Sequence, residues 1–188
     1  MSCHTPNDAF RAPALADRRI AALAALAIGL QVIEAAIASP VPGIKPGLAN
    51  VITLVTLVTL GWRAALAVTL LRVTGASLLL GTLLSPGFWL SLVGALAALA
   101  VLAPLLRLYP RHLSALGLAV TAAVAHTLGQ FLLAWAVIIP HPQLPLLLPP
   151  LLLAALITGL VTGILSASVL ADPRIQRHVR DPSRTQSG

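Results

Sequence analysis

Positive charge alternates along this chain, and that alternation constrains its folding more than any other feature. Six apolar runs, roughly 20–39, 47–60, 64–84, 88–106, 115–139 and 149–170, are separated by flanks that are basic and poor in turn. Arg11, Arg18 and Arg19 precede the first run, and Arg63 separates the second from the third. Arg107 and Arg111 separate the fourth from the fifth, and Arg174, Arg177, Arg180 and Arg184 follow the sixth. The remaining gaps hold Lys45, then no charge, then none. Lys and Arg collect in the cytoplasmic loops of membrane proteins. The pattern therefore predicts an all-α bundle of six transmembrane helices with both termini cytoplasmic.

Composition agrees. The chain is 58% hydrophobic and 9% charged, more apolar surface than a soluble domain of 188 residues can cover. About 20 apolar residues cross about 30 Å of hydrocarbon. Six such helices consume most of the chain and divide it into an unstructured segment (1–17), a membrane domain (18–171) and a basic cytoplasmic tail (172–188). The net charge of +7 lies in these flanks and reads as topology signal and contact with lipid headgroups, not as a nucleic-acid surface. Cys3 is the single cysteine, so it forms no internal disulfide and no metal site. The first run is too long for a signal-peptide core and reads as a retained helix.

Three prolines and two glycines in Ser39–Gly47 break any helix there. The second run is short: fourteen residues span about 21 Å, less than the hydrocarbon thickness. It reads either as a discontinuous or re-entrant helix lining a cavity or as a straight helix completed by Trp62. Phe88, Trp89 and Trp135 are candidate anchors at the membrane interface.

Arg72 is the most unusual residue. It lies inside the third run, about 12 Å from the inner boundary by helical rise. An arginine at a helix centre costs about 2.5–3.5 kcal/mol to insert, so it faces the protein interior or water and has a partner. It either binds an anionic substrate group or pairs structurally with Glu34 or with backbone carbonyls. Glu34 is the acid inside a span; it reads as a structural partner, of Arg72 or of Lys45, or as a cation or proton site. His126 and Gln130 are four apart and share a helix face. Such a pair glues helices together, lines a substrate cavity or, less simply, joins a metal site, although no Cys or carboxylate stands at ligand spacing. Thr53, Thr56 and Thr59 follow Asn50 at intervals of three and read mainly as packing residues. Ala21, Ala25 and Gly29 repeat every four residues, a spacing that lets a second helix approach closely.

The run Pro42-Gly43-Ile44-Lys45-Pro46-Gly47-Leu48-Ala49-Asn50 resembles a motif of the Gx transporter family, historically labelled heptaprenyl diphosphate synthase component I. Leu71-Arg72 followed by Gly75 and Gly81, Ser91 with Gly94, and Ala125-His126-Thr127-Leu128-Gly129-Gln130 extend the resemblance over roughly residues 20–170. Thr127 stands where the family usually has Asn, and Pro46 where an apolar residue is usual. The family is similar to the substrate-binding S components of energy-coupling-factor transporters. The resemblance implies a six-helix protein of the bacterial plasma membrane that binds a small metabolite from outside. It also implies that residues 40–49 act as a lid. The Ala21/Ala25/Gly29 stripe would meet a transmembrane coupling protein driven by ATPases. Lys45, Asn50, Arg72, His126, Gln130 and Glu34 form the candidate substrate-binding set, with no catalytic residue, metal or cofactor.

The older label invites an enzyme reading. Prenyl diphosphate synthesis needs Mg²⁺ ions bridging diphosphate to clustered carboxylates. The five acids, Asp8, Asp17, Glu34, Asp172 and Asp181, are scattered. A non-catalytic accessory role beside a separate synthase is the alternative to uptake. No GxxxxGK[ST] loop is present, so energy for uptake comes from a partner or a gradient.

Overall fold

The computed structural model describes residues 8–36, 47–109 and 112–173. Among them run six α-helices: α1 (Asp8–Ala36), α2 (Leu48–Leu60), α3 (Trp62–Leu79), α4 (Pro86–Leu105), α5 (Ala115–Leu133) and α6 (Leu148–Leu170). Short non-α turns extend three ends, a 3₁₀ turn after α4, a π turn after α5 and a 3₁₀ turn before α6. Five segments are long and apolar enough to cross a membrane: Asp17–Ala36, Trp62–Leu79, Pro86–Leu108, Ala115–Ile138 and Leu144–Leu170. The sixth, α2, has 13 residues and rises about 20 Å, short of the hydrocarbon thickness.

The helix ends follow local chemistry. Gly61 alone joins α2 to α3 and sits at φ 86, a conformation that suits glycine, with its N–H donating to the Leu57 carbonyl at 3.2 Å. Ser85 caps α4 by accepting from the Phe88 N–H, with Pro86 in the first turn. Ser114 caps α5 in the same way from the Gly117 N–H at 3.1 Å.

Two expectations need correction. Residues 8–17 belong to the first turns of α1, where an unstructured segment was expected. The alanines of that stretch favour helix, and a growing helix extends more easily than it starts. Phe88 is not an interface anchor. It is buried beside Val73 and Ala95, while Trp62, Trp89 and Trp135 are exposed as expected. Phe88 meets Trp89 edge to face at 5.3 Å, so one ring fills the interior and its neighbour faces outward.

Packing divides the bundle along its length. Leu54, Leu57, Ala65, Leu99, Leu102, Leu118 and Ala119 form the main core. These residues lie near the end that carries the exposed Arg18, Arg19, Arg63 and Arg107. At that end α2 fills the space between its neighbours. Toward the other end α2 stops, and nothing of comparable length replaces it among the described residues. One half of the bundle is therefore closely packed and the other holds a cavity. The outward face of α6, from Leu153 through Ile157, Leu160 and Ile164, is apolar and exposed, as a lipid-facing helix requires.

Close helix approach comes from small residues. A Cβ on Gly159 would stand 2.9 Å from the Val120 Cα, and one on Gly163 would stand 3.0 Å from the Leu116 Cα. The spacing Gly159-x-x-x-Gly163 thus lets α6 lie against the backbone of α5. Gly129 does the same for α4 and α5, with the Val93 carbonyl oxygen 3.2 Å from the site of its missing Cβ.

Candidate functional site

The void is a cavity of about 330 Å³, within the range of small-molecule sites. Its walls come from every helix: the last turns of α1, the start of α2, the middle of α3, the start of α4, the second half of α5 and the first half of α6. All of these lie away from the basic flanks. Glu34, Asn50, Arg72, His126 and Gln130, scattered over four helices in the sequence, line this one cavity. Lys45 lies outside the described residues.

Arg72 is 4% exposed and donates from Nη1 to the Asn50 side-chain oxygen at 3.0 Å. Its Nε–H has no hydrogen-bond partner. An orphaned buried donor on a charged group is costly. The partner expected from sequence was Glu34 or a backbone carbonyl; the acceptor in place is Asn50. Glu34 acts on Arg72 through its charge. The Glu34 carboxylate accepts a hydrogen bond from the Leu48 N–H, the first residue of α2. That contact satisfies one of the donors a helix leaves open at its start and sets a negative charge at the positive end of the helix dipole. The residue before α2, Gly47, adopts φ 73 and so turns the chain into the helix without strain.

His126 and Gln130 share a face of α5, as their spacing requires, and both press on Gly94 of α4. A Cβ on Gly94 would stand 2.6 Å from Gln130 Cγ and 2.9 Å from His126 Nε2. The imidazole lies against Gly94, and its Nδ1 is buried without a partner. The pair therefore packs helices and lines the cavity together, two readings that the sequence left as alternatives. No group of three or more metal-ligating side chains occurs among the described residues.

Thr53, Thr56 and Thr59 each bond back to the carbonyl four residues earlier, at 3.4, 2.6 and 2.7 Å. Thr53 also lines a second void of about 20 Å³, room for about one water. Asn50, Arg72, Ala123 and Thr162 border both voids. On the far side the small void meets Ser166, whose hydroxyl is fully buried and unpartnered. Ala21, Ala25 and Gly29 are exposed on α1, and a Cβ on Gly29 would meet nothing within 4 Å.

Sequence reasoning missed Gln31, Thr158, Thr162 and Ser166. Thr158 and Thr162 are four apart on α6 and line the main cavity, Thr162 donating to the Thr158 carbonyl at 2.9 Å. Their spacing was as visible as that of His126 and Gln130. Hydroxyls in an apolar helix usually satisfy themselves on the preceding turn, and that habit hides a lining role.

A protein-family model described as heptaprenyl diphosphate synthase component I matches residues 23–169. Neither a curated protein nor a solved structure matches the chain. The chain belongs to that family, which is the Gx transporter family resembling the S components of energy-coupling-factor transporters.

Proposed function

We propose that this member of the Gx transporter family is the substrate-capture subunit of an uptake system in a bacterial plasma membrane. It takes a small metabolite from outside and works with an energising transmembrane partner. The observation that carries this reading is the cavity lined by Glu34, Asn50, Arg72, His126 and Gln130 at the end of the bundle opposite the basic flanks. Under the positive-inside rule that end faces outward. Transporters commonly build such sites where a helix is interrupted, because the freed helix end and nearby polar groups can meet a ligand away from lipid. The start of α2 beside Arg72 has that form. The exposed Ala21, Ala25 and Gly29 offer a face on which a partner helix could lie closely.

The family description favours a second reading, an accessory membrane component beside a prenyl diphosphate synthase. That component would be non-catalytic, since Glu34 is the one carboxylate among the described lining residues, whereas prenyl transfer through Mg²⁺ needs several.

The test fills the cavity. Ala154 lines it from α6, and Ala154→Trp would occupy much of its volume. Mass spectrometry of the purified chain should find a small molecule that accompanies the wild type and is missing from Ala154→Trp. Uptake of that molecule by cells should fall in the same variant. If the plugged and wild-type proteins carry the same small molecules, the capture reading is wrong. A prenyl diphosphate as the displaced species would establish the accessory role instead.

A further inference from the structure

We infer that Ser91, Thr127 and Gln130 hold the polar part of the captured molecule, and that this part is an uncharged group that both donates and accepts hydrogen bonds, as an amide does. The assignment rests on the capture reading and narrows it to a substrate class.

The starting point is where the hydroxyls of the bundle spend their protons. In an apolar helix a hydroxyl normally bonds back to its own preceding turn. Threonines from Thr53 on α2 to Thr162 on α6 do so, each donating to the carbonyl four residues earlier. Among the threonines of the described helices, Thr69 and Thr127 do not. Thr69 is sealed in the interior, whereas Thr127 is half-buried and lines the main cavity. Ser91 repeats the pattern on α4: it lines the same cavity, and its hydroxyl bonds to no described residue. Neither hydroxyl is sealed off as those of Thr69 and Ser166 are. Thr158 and Thr162, the other hydroxyl side chains of the lining, have their protons committed to backbone carbonyls. Uncommitted hydroxyls therefore gather on one wall.

The side-chain amide of Gln130 belongs to that wall and also bonds to no described residue. Thr127 and Gln130 are three apart on α5, and Ser91 and Gly94 are three apart on α4, so each pair shares a helix face. The two faces meet where Gln130 Cγ lies 2.6 Å from the site of the missing Gly94 Cβ. No carboxylate, lysine or arginine lies on this wall among the described residues; Arg72 and Glu34 enter from α3 and α1. Hydroxyls and amides each give and take hydrogen bonds. An acceptor-only group leaves the Gln130 carbonyl without a donor, and a donor-only group leaves the hydroxyl protons without an acceptor. A neutral group that does both satisfies all three side chains.

The experiment uses acetamide as the probe. Acetate, which only accepts, and methylammonium, which only donates, are the controls. Each is titrated against thermal unfolding of the full chain in detergent at constant ionic strength. Acetamide should raise the midpoint saturably, and the two ions should not. Thr127→Val keeps the shape and removes the hydroxyl. It should leave the midpoint without acetamide nearly unchanged, because the hydroxyl bonds nothing in the described chain, and should weaken the acetamide response by about threefold to tenfold. Thr127→Ser keeps the hydroxyl and should keep the response; a packing role predicts the reverse order. Ser91→Ala should weaken the response to a similar extent. Thr121→Val is the control on the same helix, since Thr121 bonds back to Gly117 and lines neither void. No saturable response to acetamide, an equal response to either ion, or an equal loss in Thr121→Val overturns the assignment. An acetamide response unchanged in Thr127→Val and Ser91→Ala overturns it too, and leaves these hydroxyls to water. The parent reading fails separately. If Ala154→Trp displaces a small molecule that lacks such a neutral group, capture stands and the class is wrong. If it displaces nothing, capture itself falls.

Discussion

Nη1 of Arg72 donates to Oδ1 of Asn50 at 3.0 Å, tying the middle of α3 to the first turn of α2. This bond joins the only arginine buried among the described side chains to the helix whose first turn lines the cavity. Both residues line the large void and the small one. Truncating Asn50 to Ala leaves the guanidinium without its neutral acceptor. Hydrogen bonds to charged groups contribute about 1.5–3 kcal/mol, so Asn50→Ala should destabilise the bundle by about that amount. Unfolding in a denaturing-detergent titration would measure it. Asn50→Asp should restore stability, because it supplies an acceptor of opposite charge. A stable Asn50→Ala protein would mean that Arg72 finds another partner at little cost.

Glycines within helices give the second prediction, because the structure separates them into three kinds. Gly159 lies against the Val120 Cα, where a Cβ would come within 2.9 Å of backbone. Gly159→Val should cost about 1–3 kcal/mol or more, since neither helix can retreat without losing its neighbours. Gly29 has open space, and Gly29→Ala should be neutral or stabilise by up to about 1 kcal/mol through helix propensity. Thermal unfolding in one detergent compares them directly. Equal effects would mean that α5 and α6 are not held at the distance described.

Gly94 is a third kind, with side chains in place of backbone as its neighbours. Gly94→Ala forces His126 or Gln130 to move by some tenths of an ångström, since the added carbon would lie 2.6 Å from Gln130 Cγ. Both side chains also line the cavity. Binding of the captured molecule should therefore weaken by about tenfold while the unfolding midpoint shifts by only a few degrees. An unchanged affinity would show that His126 and Gln130 serve packing alone.

Much of this arrangement was legible because hydrophobic runs and charged flanks report directly on the bilayer. The apolar runs marked the helices to within a few residues at most ends, and a buried charge announced itself in Arg72. The shortness of α2 was also readable, and it turned out to create the cavity. Other features depend on three-dimensional convergence. The acceptor of Arg72 is 22 residues away on another helix, and no spacing rule points from Arg72 to Asn50. Glu34 caps α2 across 14 residues, a role visible only when the end of α1 lies beside the start of α2. Phe88 was misread because an aromatic residue beside a proline turn fits an interface belt as well as it fits a core. The glycines of α6 were readable as Gly159-x-x-x-Gly163, but the chain's thirteen glycines gave them little contrast.

Orientation supplies the next prediction. His112 and Gln143 are both exposed, in connections at opposite ends of the bundle. With Cys3 replaced by Ser, a cysteine introduced at Gln143 should react with a membrane-impermeant reagent added to intact cells. One introduced at His112 should react only after the membrane is opened. The basic flank near His112 dictates this, since Lys and Arg are retained on the cytoplasmic side. The reverse pattern would place the cavity mouth on the inside and would end the uptake reading.

The last prediction concerns α1. Ala25 is exposed, and the neighbouring Gly29 has no contact within 4 Å of where its Cβ would be. Ala25→Trp should therefore leave the fold and the cavity untouched, because the indole projects away from the other five helices. If a partner helix lies on this face, the same substitution holds it off by several ångströms, as bulky groups do at small-xxx-small contacts. The expected result is a split: cellular uptake falls, while the isolated chain keeps its affinity for the captured molecule. Loss of affinity as well would mean that the α1 face belongs to the internal packing of the chain. Undiminished uptake would mean that α1 faces only lipid, where tryptophan is tolerated, and that the energising partner docks elsewhere.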